Sequence, residues 1–174
     1  ITFEGDYKIS QFIITEYISS LTEDTVIDVS NCDATVSFYG DYWECGYQNW
    51  QIEFLSVNGL YYGPYLCIDF LNESTTDFTG AYVASGFTVE DPTKPDFRSG
   101  VFVPGFRLSD EANNMMGSLY TINNDGRCIA QTTLYEGTVT ITANADGTYT
   151  IVIDALDDAP EQNKITLNWT GNLY

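Results

Sequence analysis

Apolar and polar residues alternate with a period of two along most of this chain, and most plainly from Gly137 to Gly171. Val139, Ile141 and Ala143 alternate with Thr138, Thr140 and Thr142. Tyr149, Ile151 and Ile153 fall between Thr148, Thr150, Val152 and Asp154, and Ile165, Leu167 and Trp169 alternate with Thr166, Asn168 and Thr170. Such alternation marks strands with one buried face, so it predicts a three-stranded antiparallel meander. The first turn sets the register. A loop of Ala145, Asp146 and Gly147, with Gly147 left-handed in a bulge, pairs Asn144 with Thr148 and places Ala143 opposite Tyr149 and Ile141 opposite Ile151. A loop one residue shorter or longer would set apolar residues against threonines, and a slip of one residue reverses every face.

The same period recurs upstream. Ala34, Val36 and Phe38 alternate with Thr35, Ser37 and Tyr39; Trp50, Ile52 and Phe54 with Gln51, Glu53 and Leu55; and Leu66, Ile68 and Phe70 with Cys67, Asp69 and Leu71. This predicts a second meander, a faint echo of the first that two sheets obeying the same physics explain without duplication. The two differ at one joint: the loop Gly40 to Asn49 is long for a hairpin and carries Tyr42, Trp43 and Tyr47. Between the meanders, strand candidates lie around Ala81 to Ala84, Gly100 to Leu108, Gly117 to Ile122 and Cys128 to Leu134, broken by turns at Asp91-Pro92, Lys94-Pro95 and Pro104-Gly105. A short strand is expected at Val26 to Val29. From Ile1 to Leu21 the spacing of Tyr7, Ile9, Phe12, Ile13, Ile14, Tyr17, Ile18 and Leu21 would also line a helix, but the β-branched content favours strand or extended chain.

Composition agrees with an all-β reading: 13 Tyr, 10 Phe and 3 Trp stand beside many Thr and Ile. The 174 residues suffice for a sizeable core, and no composition break or linker divides them, so residues 1–174 read as a single domain. The first thirty residues are its least defined segment. Charge narrows the partners. With 25 acidic residues against 6 basic ones the net charge is −19, which excludes nucleic acid, bound through basic surfaces, and disfavours attachment to anionic lipid. Lys94, Arg98, Arg107 and Arg127 are balanced locally by Asp96, Asp110, Glu111 and Asp125, so the central segment is neutral and the negative charge lies elsewhere. No apolar run has the length of a transmembrane helix. The chain opens at Ile1, which fits a mature form whose leader has been removed and leaves secretion open.

The chain has no histidine, so Ser-His-Asp and Cys-His arrangements and a histidine base are excluded. Cys32, Cys45, Cys67 and Cys128 show no CxxC pairing, which sets structural zinc aside; Cys67 and Cys128 fall in strands and read as small buried hydrophobes, and free thiols are expected. No metal or cofactor is expected. Asn123-Asn124-Asp125-Gly126, Asn144-Asp146 and Asp154-Asp157-Asp158-Glu161 offer oxygens to calcium, but none has DxDxDG spacing, and the first two read as turns with a left-handed glycine. Paired carboxylates suit a glycosidase, yet in so acidic a chain such pairs arise by chance and nothing selects an acid with a raised pKa. The candidate ligand-binding residues are therefore Tyr42, Trp43 and Tyr47, whose rings suit stacking on sugars or anchoring a protein. With them go Phe97, Arg98, Phe106 and Arg107, because a guanidinium beside a ring engages carboxylates or sugars. The structural alternative is that Trp43 and the tyrosines cover an open end of the sheet, Trp50 belongs to the core, and each arginine serves its own acid.

The order of GDYWECGYQNWQIEFLSVNG, GPYLCIDF, FTGAYVASG, FRSGVFVPGF, GTVTITANADGTYTIVIDALDDA and LNWTGNLY resembles a family of uncharacterised secreted or lipid-anchored β proteins of gut Bacteroidetes. The likeness runs from about Ala34 onward, excludes the first thirty or so residues, and departs at the long DDAPEQNK turn. It implies an exported, all-β protein at the cell surface or in the periplasm, with any lipid anchor lying N-terminal to this sequence, and it brings no catalytic residue.

Together these observations predict a single antiparallel β-sandwich or flattened barrel of roughly eight to eleven strands built from meanders, with a lipocalin-like up-and-down barrel as the alternative. The function expected is non-catalytic: an exported binding or surface-assembly protein with a glycan or protein ligand. A carrier of a small apolar ligand and, more weakly, a glycoside-processing enzyme are the alternatives.

Overall fold

The computed structural model describes residues 17–87, 95–107 and 115–174, and among these every helix or strand is a strand. The first meander is β2 (Cys32–Gly40), β3 (Gln48–Ser56) and β4 (Gly63–Asn72), preceded by the short β1 (Thr25–Val26). The middle supplies β5 (Gly80–Ala84), β6 (Val101–Phe102), β7 (Phe106–Arg107), β8 (Met115–Met116), β9 (Leu119–Asn124) and β10 (Arg127–Thr133). The second meander is β11 (Glu136–Ala143), β12 (Tyr149–Leu156) and β13 (Lys164–Gly171). These are thirteen strands, more than the eight to eleven expected, because β1, β6, β7 and β8 are each two residues long.

The predicted registers hold. Ala143 pairs with Tyr149 and Ile141 with Ile151, and Gly147 takes φ +87° while the Asn144 amide donates to the Thr148 carbonyl at 2.8 Å. At the β9–β10 turn both central residues are left-handed, Asp125 at φ +49° and Gly126 at φ +74°, as a tight turn between right-twisted strands requires.

One eleven-stranded sheet runs β1-β13-β12-β11-β5-β6-β4-β3-β2, with the β9–β10 hairpin attached to β4; β7 and β8 form a second, two-stranded sheet. Two pairings are parallel, β1 with β13 and β5 with β6, so the sheet is mixed and not antiparallel throughout. It does not close into the up-and-down barrel considered as an alternative. Instead the two meanders share one core. Ile52, Phe54, Leu66, Ile68 and Phe70 from the first join Val139, Ile141, Ile151, Ile153 and Ile165 from the second. The rings of Phe54 and Trp169 meet edge to face at 4.9 Å, and Tyr174 exchanges backbone hydrogen bonds with Ala34 and Val36 of β2. Trp50 is core, as its strand alternation implies.

Residues 1–16 lie outside the described residues, and with them most of the ambiguous N-terminal pattern. Tyr17 to Leu21 forms no helix or strand and is tied down by the turn after β12. The Asp158 carboxylate accepts from the amides of Ile18 (2.7 Å) and Ser19 (2.9 Å). The buried Asp157 accepts from the Ser19 hydroxyl at 2.6 Å, the Asn163 amide at 2.8 Å and the Asn163 side chain at 2.9 Å. The extra length of DDAPEQNK is thus a clamp for a segment about 140 residues away in sequence.

All four cysteines are free. Cys67 is buried as expected, but Cys128 is exposed: it stands on β10, which among the described residues pairs with β9 alone, and its neighbours Arg127 and Ile129 are exposed too.

Candidate functional site

Strand β4 is buried along both faces from Leu66 to Leu71. Leu66, Ile68 and Phe70 point into the main core. On the opposite face Cys67, Asp69 and Leu71 are buried as well, and β6 continues the sheet beside β4. Val101 pairs with Leu71 and Phe102 with Phe70, the Val103 amide donates to the Asp69 carbonyl at 2.7 Å, and the Asp69 amide donates to the Ser118 hydroxyl at 3.0 Å. Leu71, Val101, Val103 and Phe106 form a second apolar cluster on this face.

The turn into β9 lies close against the segment after β6. Gly117 has φ +81°, and a Cβ there would run into the Pro104 carbonyl. Gly117→Ala is therefore expected to lower stability by about 2 kcal/mol, whereas Gly147→Ala, left-handed but in open space, costs about 1 kcal/mol. Urea unfolding checks this, and equal losses would contradict the close-approach argument.

The aromatic loop closes the cluster from above. The Asp41 carboxylate accepts from the amides of Cys45 (2.8 Å) and Gly46 (2.9 Å), and Glu44 and Gly46 adopt left-handed conformations, so the loop folds into a tight knot. That knot turns Trp43 inward, where it stacks on Phe97 with ring centroids 4.8 Å apart and tilts against Phe106 at 6.2 Å. Tyr42 stands edge-on to Trp43 at 5.0 Å and is 53% exposed; Tyr39, 48% exposed, meets Tyr42 at 6.3 Å.

Five of the seven residues singled out from sequence thus come together around Trp43: Tyr42, Trp43, Tyr47, Phe97 and Phe106. Their roles differ. Trp43, Tyr47 and Phe97 are half-buried and Phe106 is buried, so they form the base, and the open ring faces belong to Tyr42 and to Tyr39, which sequence reasoning had placed only in a strand alternation. Arg98 is exposed 4.0 Å from Asp96, and Arg107 follows Phe106 on β7, half-buried.

Beneath the base lies Asp69, with no exposed surface. Its carboxylate accepts from the side-chain amides of Asn49 at 2.5 Å and Gln51 at 3.0 Å. The buried Trp43 indole N–H lies near enough to favour the ionised form, though outside good hydrogen-bond geometry. Burial dominates and pushes the carboxyl up to about pKa 6. Along the same face burial also raises the Cys67 thiol and the Tyr65 hydroxyl, which donates to Glu53 at 2.5 Å. Asp69 was missed in the sequence, yet YLCIDFL is a nearly continuous apolar run, the signature of a strand covered on both faces.

A second exposed apolar patch caps the opposite hairpin tips. Val57, Leu60, Tyr61 and Tyr62 are exposed, and the Gly126 amide of the neighbouring β9–β10 turn donates to the Tyr61 carbonyl. The oxygen-rich loops serve as turns and clamps: Asp146 accepts from the Thr148 amide and hydroxyl, and Asp157 and Asp158 hold residues 18 and 19. Among the described residues no three Cys, Asp or Glu side chains group to hold a metal ion, and no helix is long and apolar enough to cross a membrane.

No protein-family model, no curated protein and no solved structure matches this chain.

Proposed function

We propose that this chain is an exported, non-catalytic binding protein that presents the Tyr39–Tyr42 edge of its aromatic loop to a glycan. The observation carrying this reading is the contrast between base and edge. Trp43 is clamped by Phe97 and Phe106, while Tyr42, edge-on to it, and Tyr39, edge-on to Tyr42, stay about half exposed. A ring held in place before binding loses little freedom when a sugar stacks on it, and tyrosine adds a hydroxyl for hydrogen bonding. Folding gives no reason to leave such rings on a loop far longer than its counterpart at Ala145-Asp146-Gly147. The resemblance to exported β proteins supports the location. An internal ligand, as in a carrier, is disfavoured because the interior is filled by Phe54, Phe70, Tyr82, Phe102 and their neighbours. A glycosidase is disfavoured because Asp69, the one carboxyl with a raised pKa among the described residues, is sealed from substrate.

Glycan-array screening followed by calorimetry tests the proposal. Tyr42→Ala and Tyr39→Ala are each expected to weaken the best glycan about tenfold, the loss of one stacked ring. Binding that survives the double substitution would remove the site. Protein docking is the second reading, favoured by the exposed patch of Val57, Leu60, Tyr61 and Tyr62.

A further inference from the structure

We propose that the β3–β4 hairpin tip, which carries Val57, Leu60, Tyr61 and Tyr62, is a seat for the headgroup region of a zwitterionic phospholipid bilayer. The aromatic loop precedes the start of β3 and this tip follows its end, so the nine residues of that strand hold the two about 30 Å apart. Lipid contact at the tip therefore leaves the Tyr39–Tyr42 edge free.

Charge and area single out the occupant. From Phe54 to Ile68 the sequence has no charged residue, although the chain as a whole carries −19. At the turn of this stretch Val57 is 60% exposed, Leu60 51%, Tyr61 66% and Tyr62 47%. The adjoining β9–β10 turn adds one exposed charge of each sign, Asp125 and Arg127, which suits a headgroup layer that also carries both signs and no net charge. Asp33 and Glu53 stand further back, on β2 and β3, where they oppose an anionic surface. Four side chains at a hairpin tip fall short of the roughly 800 Å² per partner of a stable protein interface, whereas a bilayer takes up side chains singly.

The backbone of the tip is also prepared for a medium that offers no hydrogen bonds. The Val57 amide donates to the Asn31 carbonyl at 3.0 Å, the Gly59 amide to the Ser56 carbonyl at 2.8 Å and the Tyr62 amide to the Gly59 carbonyl at 3.1 Å. The Asn58 amide donates to the Ser56 hydroxyl at 3.3 Å, and the Tyr61 carbonyl accepts from the Gly126 amide at 3.1 Å. Lipid cannot replace such partners, so a segment that enters the interface needs them from the protein itself. The bond to Gly126, with that of the Tyr62 hydroxyl to Asp125 at 3.3 Å, braces the tip on the neighbouring turn. Tyrosine completes the match, because its ring sits at the apolar boundary while its hydroxyl stays wet.

Flotation of the whole chain with phosphatidylcholine vesicles tests this. Wild type is expected to float with the vesicles, and less of it once phosphatidylglycerol is mixed in, because the protein is strongly negative. Leu60→Ser and Tyr61→Ser should each lower the partition coefficient roughly tenfold, whereas Tyr42→Ala, at the other end of β3, should leave it unchanged. In Tyr61→Trp the new indole should shift to the blue on phosphatidylcholine and be quenched by a doxyl group on the lipid chain. Wild type that stays at the bottom of the gradient, flotation unchanged in both serine variants, or flotation lost in Tyr42→Ala overturns the proposal. So does a dimer in solution that Tyr61→Ser dissolves, since the patch would then belong to a second copy. If a serine variant does not fold, an unquenched indole in Tyr61→Trp overturns it equally. Each of these failures leaves the glycan reading of the opposite end standing.

Discussion

Asp157→Ala is expected to cost about 4 kcal/mol of stability and to free the segment before β1. The side chain has no exposed surface and accepts four hydrogen bonds: from the Ser19 hydroxyl, the amides of Ala159 and Asn163, and the Asn163 side chain. Alanine removes every acceptor at once. Two backbone amides and two side-chain donors are then left in a site with little room for water, at roughly 1 to 3 kcal/mol for each donor that finds no substitute. The release of a buried carboxylate offsets part of that loss, which keeps the net figure near 4. Asp157→Asn retains one acceptor and should lose about half as much. Asp158→Ala, at a half-buried position accepting from the amides of Ile18 and Ser19, should cost about 1 kcal/mol yet raise hydrogen exchange at those amides as strongly. Urea unfolding with native-state exchange separates the three variants. Equal stability of Asp157→Ala and wild type would mean that this clamp contributes nothing to the fold.

That clamp shows why the sequence was legible in some places and not in others. Hairpins are local. The left-handed Gly147, the alternation of Ile141 and Ile151 with threonines, and the Asp125-Gly126 turn decide pairing within a few residues, and each register follows from the chain itself. The two meanders and their inward faces could be read for the same reason. Contacts across long stretches of sequence leave no periodic trace. Nothing around Ser19 announces Asp157, so the acidic run Asp154 to Glu161 read only as a source of oxygens without calcium-loop spacing, whereas two of its members hold a distant strap.

The same limit governed the site. Tyr42 and Trp43 stood out as loop aromatics, and Phe97 and Phe106 as rings beside arginines, but only the fold packs Phe97 and Phe106 against Trp43 and divides base from edge. Tyr39 was hidden by lying at the outward position of a strand. Cys128 had the local pattern of a buried residue, and only its place on β10, beyond the covered part of the sheet, exposes it. Asp69 is the instructive miss. A lone acid in YLCIDFL reads as an outward position in a one-sided strand, whereas the apolar residues beside it, Cys67 and Leu71, already implied a second covered face.

That covered face makes Asp69 the source of a measurable pH dependence in stability. Its carboxyl titrates at about 6 when folded, against 3.8 for the ordinary side chain, because burial disfavours the charge. A pKa raised by folding means that the native state holds its proton more tightly than the unfolded chain. The resulting stability is fully present below about pH 4, falls as pH rises through 6, and is gone above it. A shift of about two units corresponds to about 3 kcal/mol. The other acids of a chain with net charge −19 also titrate over this range, so the wild-type curve alone is uninformative. The difference between wild type and Asp69→Asn is the useful quantity, because the remaining acids cancel. Asparagine cannot ionise, and any mismatch of its amide with Asn49 and Gln51 adds a constant offset. Measured by urea unfolding from pH 4 to 7.5, the stability of Asp69→Asn relative to wild type should climb by about 3 kcal/mol, with most of the rise below pH 6.5. Parallel curves would show that Asp69 ionises in the folded protein as readily as in the unfolded chain, and that its position under Trp43 carries no penalty for charge.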